Sequence, residues 1–250
     1  MNSRRSELLV LLVLIVAGVA LYAVRWVIFA TPEYHSEMWR FLLGDVAFLF
    51  LQVAIVTMLI DRILRVREKR AMLQKLNMVI GAFFSEVGTE LLGKLAVADS
   101  SLGEVRDQLV PAAKWQAADY GKARAAVDSH SAKIDLSSCD LYELKAMLVR
   151  EKPFLLGLLG NQALLEHESF TELLWAVTHL AEELDARGDF EGLPPADRIH
   201  LAGDVKRAFT LLTGQWLEYV RHLQTAYPYL FSLAVRLNPL DPGASVTVQE

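Results

Sequence analysis

The chain has 250 residues, 53% of them hydrophobic, and a formal net charge of −5, which makes it more apolar than an ordinary soluble domain. A single cysteine, Cys139, excludes a disulfide framework or a CxxC metal site within one chain. The acidic balance argues against a nucleic-acid partner, because a phosphate-binding surface needs clustered positive charge.

The apolar excess is local. Residues 8–30 carry one charge, Arg25, and residues 41–60 carry only Asp45 and Gln52 as strongly polar positions. Each run reaches the roughly 20 residues a helix needs to cross a bilayer. Together they predict an N-terminal hairpin of two transmembrane helices over residues 1–62. Arg4 and Arg5 precede the first run, six basic residues follow the second, and the connector TPEYHSEM has neither Lys nor Arg. Lys and Arg beside a span stay in the cytoplasm, so both termini are expected inside, in a multi-pass protein of the bacterial inner membrane. A hairpin turning near residues 34 and 35 sets Arg25 and Asp45 at similar depth, as a candidate intramembrane ion pair.

Charge then changes sign. Residues 62–75 hold Arg62, Arg65, Arg67, Lys69, Arg70 and Lys75 against Glu68, whereas residues 76–250 sum to −9. The basic collar suits anionic lipid of the inner leaflet and also serves as a topology signal. No proline or turn cluster interrupts residues 41–92, so a juxtamembrane helix over 63–95 is expected to continue the second span. Asn77, Gly81, Ser85 and Gly88 recur on it at spacings of four, four and three, a stripe of small residues that lets another helix approach. That helix belongs either to the same bundle or to a second copy of the chain.

Residues 96–237 read as a helical bundle, and the whole chain as all-α. One helix is expected over 104–128, perturbed by Pro111, followed by the polar stretch SHSAKIDLSS. Asp140 or a preceding serine caps the next helix, Pro153 suits a first helical turn, and Ser169 with Glu172 forms a capping box. That later helix is expected to end at Arg187-Gly188 with glycine in the left-handed cap position. After EGLPP a long helix runs from about 196 to 225, Pro228 interrupts, and YLFSLAVRL makes a last short helix. Residues 238–250 are expected to be a disordered tail.

Two stretches, KLNMVIGAFFSEVGTELL and HLQTAYPYLFSLAVRLNPLDP, resemble those of a family of uncharacterised bacterial membrane proteins with the same two-span layout. The resemblance covers most of the chain and implies the architecture without any activity, ligand or catalytic residue.

The chemistry-bearing residues are histidines spaced with carboxylates on helices. His179 with Glu182 and Glu183, His200 with Asp204, and Glu218 with His222 each share a helix face, and imidazole with carboxylate suits zinc or iron. The paired Glu-x-x-His pattern of di-iron bundles is missing, and surface ion pairs explain the same spacings, so no cofactor is expected. Cys139 sits where a helix starts, yet lacks a catalytic partner pattern. Phosphate-binding, nucleophile-elbow, zinc-protease and kinase motifs are absent, which argues against an enzyme. The expected function is a membrane-anchored interaction or regulatory module, with the lipid bilayer and a protein partner or homodimer as its contacts. The alternatives are a metal or ligand sensor built on the histidines, and a membrane-proximal enzyme.

Overall fold

The computed structural model describes residues 16–21, 23–28, 32–161, 164 and 167–247. The chain divides into two compact units, Met1–Glu68 and Lys69–Glu250. Among the described residues every regular element is helical, apart from an isolated antiparallel bridge between Asp99 and Ile134.

In the first unit, residues 16–21 and 23–28 are helical, and the 52-residue helix α1 (Pro32–Phe83) begins. Among the described residues one helix, Gly44–Ala98, is long and apolar enough to cross a membrane; its apolar window has a mean hydropathy of 2.0 and none of it is buried. Phe48, Phe50 and Met58 on it are more than 60% exposed, which water would penalise heavily. The described residues therefore hold one span-length helix where the sequence predicts two. Most of the difference falls at residues 8–15, 22 and 29–31, outside the described residues. Arg25 lies over the Phe41 ring, 5.6 Å from its centroid, a cation–π contact.

The second unit is built on the end of α1. A single π-helical turn, Phe84–Gly88, follows it and leads into α2 (Thr89–Ala98). The Phe84 carbonyl accepts from both the backbone N–H and the hydroxyl of Thr89, the latter at 2.7 Å. Two consecutive phenylalanines are buried here against different partners: Phe83 meets Phe170 edge-on at 5.4 Å, while Phe84 stacks on Tyr219 at 4.9 Å and meets Trp216 at 5.4 Å. Leu76, Ile80, Val87, Leu91, Leu92 and Leu95 complete a buried face. Residues 76–95 thus pack within the second unit.

The expected helix over 104–128 is two helices, α3 (Arg106–Leu109) and α4 (Ala117–Ser129). Val110 is extended, with ψ of 101°, as the residue before a proline prefers. The polar stretch after α4 is ordered by a clasp on buried Asp99. One carboxylate oxygen accepts from Ser101 N, Ser101 Oγ and Lys133 N at 2.7–3.0 Å, and the other lies 2.6 Å from His130 Nε2.

Asp140 caps α5 (Leu141–Leu159), its side chain accepting from Glu143 N. Pro153 lies inside α5 instead of opening a helix; it removes one helical hydrogen bond, to the carbonyl of half-exposed Val149. Helix α6 (Glu168–Ala186) is capped by His167, whose Nδ1 accepts from Phe170 N. Ser169 is drawn away from capping by a bond from Gln215 Nε2 at 2.9 Å. The chain leaves α6 at extended Arg187, and the positive φ falls at Gly192 (73°), not Gly188. Pro195 then opens α7 (Pro195–Ala226), and α8 (Pro228–Arg236) follows. The tail expected to be disordered is described to residue 247, with Asn238 and Leu240 buried against the bundle. Its last three residues lie outside the described part.

Two predictions follow from this packing. A Cβ at Gly88 would sit 2.6 Å from the Phe83 ring, whereas at Gly81 the nearest atom is Tyr219 Cε2 at an ordinary 3.7 Å. Thermal unfolding in nanodiscs should show Gly88→Ala destabilised by about 1–3 kcal/mol through overpacking. Gly81→Ala should be unchanged or stabilised by up to about 1 kcal/mol. The second concerns Asp99. Burial pushes its carboxyl up, but the bonds from His130, Ser101 and Lys133 outweigh that and hold it below 3.8. A depressed carboxyl stabilises the fold above its unfolded pKa and ceases to do so as pH falls through the folded value. Asp99→Asn should therefore lower the melting temperature at neutral pH, and the gap to wild type should shrink as pH falls below about 4.

Candidate metal centre

Helices α6 and α7 form an antiparallel pair closed by the turn at Gly192. Their inner faces supply the core: Leu173, Leu174, Val177, Leu180, Ala181 and Leu184 from α6, and Leu201, Val205, Ala208, Phe209 and Leu212 from α7. On the flank of α6 beside this face stand His179 and Glu183, one turn apart, and on the facing flank of α7 stand His200 and Asp204 at the same spacing. Because the helices run in opposite directions, the last turns of α6 lie beside the first turns of α7, and the two pairs meet.

Each of these four residues offers a ligand atom within 4.8 Å of the other three. His179 Nε2 is 3.8 Å from Glu183 Oε1 and 3.7 Å from Asp204 Oδ1; His200 Nε2 is 3.6 Å from Glu183 Oε2 and 3.4 Å from Asp204 Oδ2. These separations are too long for good hydrogen bonds. Tetrahedral zinc with bonds near 2.0–2.2 Å would hold its ligand atoms about 3.3–3.6 Å apart, so side-chain shifts of up to about 1 Å would complete the shell. Two neutral imidazoles and two carboxylates carry a charge of −2, which balances a divalent ion.

A network of ion pairs is the competing reading, and two arginines support it. Arg187 binds Glu183 Oε2 at 2.6 Å and grips Asp197 with Nε and Nη2 at 3.0 and 2.6 Å, while Arg207 stands 3.8 Å from Asp204 Oδ1. The bond from Arg187 holds the Glu183 carboxyl below its usual range against the opposing effect of burial, and does the same for Asp197. Asp204 has ion-pair neighbours at 3.4–3.8 Å but no close one. It is 5% exposed, and its Oδ2 has no hydrogen-bond partner. A carboxylate oxygen withdrawn from water without a partner costs several kcal/mol, of order 1–3 or more, and a cation among the four ligands removes that cost. His179 and His200 are 45% and 54% exposed, so an ion has an open path in.

The other candidates lie elsewhere. Glu182 is exposed and outside the cluster. Glu218 pairs with Arg221, and His222 Nδ1 faces the Asn77 amide at 3.3 Å, so the third histidine–carboxylate pair is not joined. Burial lowers the His222 pKa. Of the small-residue stripe, Asn77 and Gly81 face α7 at His222 and Tyr219, and Gly88 faces the Phe83 and Phe84 rings. Ser85 is exposed and interacts with the Tyr219 hydroxyl. These contacts are all within the chain's own bundle, and Gly88 is the one stripe residue that is fully buried. The collar residues Arg62, Arg65, Arg67, Lys69, Arg70 and Lys75 are all exposed along α1. Cys139 is half-buried, its thiol 3.8 Å from the Lys94 carbonyl and pushed up in pKa by burial, the opposite of an activated thiol. Sequence reasoning missed Arg187, whose i, i+4 spacing from Glu183 was visible but whose grip on Asp197 needs the α6–α7 turn.

A family model described as "Uncharacterized protein MJ1433, C-terminal helical domain" matches residues 72–236, and one described as "MJ1433, N-terminal helical domain" matches residues 2–64. The chain is 41% identical to "Uncharacterized protein MJ1433" of Methanocaldococcus jannaschii over 250 residues, covering all of this chain and 99% of that protein. The relative is archaeal, which corrects the bacterial affiliation expected from the sequence. No solved structure matches the chain.

Proposed function

We propose that this chain, which belongs to the MJ1433 family of uncharacterised helical proteins, is a membrane-anchored sensor of a divalent transition-metal ion. The observation that carries the reading is the convergence of His179, Glu183, His200 and Asp204 from two helices around a buried carboxylate oxygen without a hydrogen bond. The mixed nitrogen and oxygen donor set favours zinc, with iron(II) and manganese(II) behind it. Two half-exposed imidazoles suit an ion that exchanges with solution, because a purely structural site is normally closed. Arg187 acts as a brace: it keeps Glu183 ionised and in place while tying the end of α6 to the start of α7. The sensor reading draws the regulatory module and the histidine site into one, and a protein partner would read the loaded α6–α7 pair.

Anchoring is supported by the unburied apolar window of α1 and by the basic collar that follows it. Two spans, residues 8–30 and 41–60, would place both termini and the bundle on the cytoplasmic side. The charge pattern carries this part of the reading, and it holds for an archaeal membrane as for a bacterial one.

The metal reading is tested by loading the full chain in nanodiscs with zinc. Elemental analysis after desalting should find about one zinc per chain, and zinc at a hundredfold excess over its Kd should add about 2.7 kcal/mol of stability. His179→Ala with His200→Ala should abolish both effects while leaving the far-UV circular dichroism intact. Equal zinc retention by wild type and the double variant would refute the site. Anchoring is tested separately with topology reporters. Fusions after Leu92 and Asn238 should report cytoplasm and one at Glu33 the outside, and an external signal at Asn238 would reverse the orientation.

A further inference from the structure

A second site lies at the other end of α7 and shares no residue with the metal centre. A cavity of about 890 Å³ opens between α1, α4, the start of α6 and the C-terminal half of α7, within the range of small-molecule sites. Its apolar lining comes from Leu73, Leu76, Ile80 and Trp115. Its charged lining is Arg124, Arg221 and Glu218, positive on balance in a part of the chain that is otherwise strongly acidic.

Arg124 is held in position. Its Nε is bound to both oxygens of Asp128 at 3.0 and 3.2 Å, and Nη1 lies over Gly214, where a Cβ would come within 2.4 Å of it. Gly214 is buried in the interior of a 32-residue helix, where glycine is a poor helix former. The room it leaves is filled by the guanidinium. Arg124 is itself one of the residues lining the cavity, and a guanidinium held in place there can read an oxyanion.

The neutral groups around it are donors too. His167 Nδ1 accepts from Phe170 N, and His222 Nδ1 faces the Asn77 amide nitrogen. In each neutral imidazole the proton then belongs on Nε2. Tyr120 also lines the cavity; it is 3% exposed and its hydroxyl has no hydrogen-bond partner. The N-terminal turns of α4 and α6 border the same space at Ala117 and Ser169, adding partial positive charge.

We infer that this cavity binds a small organic anion, a phosphate or carboxylate group carried on an apolar ring body, with Arg124 taking the oxyanion and Trp115, Leu76 and Ile80 covering the body. The binding is independent of the metal: variants that lose zinc leave it unchanged.

Equilibrium dialysis of the full chain in phosphatidylcholine nanodiscs, corrected with empty discs, tests this with 1-naphthyl phosphate, 1-naphthol and inorganic phosphate. The ester should bind saturably at one per chain, and 1-naphthol and inorganic phosphate should each bind at least tenfold more weakly. Arg124→Gln should weaken the ester at least tenfold. Gly214→Ala should do so as well while keeping or raising the melting temperature, because it displaces the guanidinium and improves the helix. If Gly214→Ala does not fold, Arg124→Gln alone decides. No saturable binding of the ester, 1-naphthol binding as tightly as the ester, or affinity unchanged in Arg124→Gln would overturn the inference. Inorganic phosphate binding as tightly as the ester would overturn the ring-body part and leave a bare anion site.

Discussion

Two consecutive buried phenylalanines on one helix are the constraint on which the bundle depends. Successive side chains of a helix point about 100° apart, so Phe83 and Phe84 address two different neighbours. The π turn at Phe84–Gly88 follows them, and Thr89 satisfies the Phe84 carbonyl with two hydrogen bonds. The two rings then serve different partners, Phe83 against α6 and Phe84 against α7. Losing a buried ring of this size costs about 3–5 kcal/mol, a large part of any domain's net stability. Gly88 is the corollary, since both rings lie where its side chain would have been.

Once α6 and α7 are both held against that aromatic pair, their antiparallel register determines which flanking residues meet. His179 and Glu183 sit beside the apolar face of α6, and His200 and Asp204 beside that of α7. The arrangement requires Asp204 to be buried beside the core, where neighbours such as Val205 and Ala208 offer a carboxylate nothing. Arg187 cannot relieve it, because its guanidinium is already committed to Glu183 and Asp197. Arg207 stands 3.8 Å from Asp204 Oδ1 and His200 Nε2 3.4 Å from Oδ2, neither close enough for a good hydrogen bond. A site under tension of this kind favours a cation without needing a fully closed shell.

Much of the helical content was legible from local signals. The ends expected for the helices around 170 and 196–225 fall within a few residues of α6 and α7, because Pro195 and the polar EGLPP segment punctuate the chain as strongly as any sequence can. The failures share one cause. Ser169 looked like a cap until a bond from Gln215, 46 residues away, engaged it, and His167 took the role. The polar stretch after α4 looked unstructured until Asp99, more than 30 residues earlier, organised it. Asn238 and Leu240 looked like a loose end, and the bundle covers them. At the metal centre the two i, i+4 pairs were visible, and their convergence was not, since nothing within either helix specifies which flank the other presents.

Helix α7 carries ligands for the metal centre near its start and lines the anion cavity near its end. Between Asp204 and Gln215 lie about 16 Å of helix at 1.5 Å per residue, and between Asp204 and His222 about 27 Å. Both distances exceed the screening length of about 10 Å at 0.1 M salt, so charge added at one end is barely felt at the other. The intervening turns, with Phe209, Leu212 and Trp216 buried, are packed against the core on every turn. A segment fixed in that way does not shift for the sake of side-chain movements at its end. Coupling between the sites would require a second packing of α7 against the phenylalanine pair, and the stacked Phe84–Tyr219 contact, which borders the cavity, is the contact such a rearrangement would have to break.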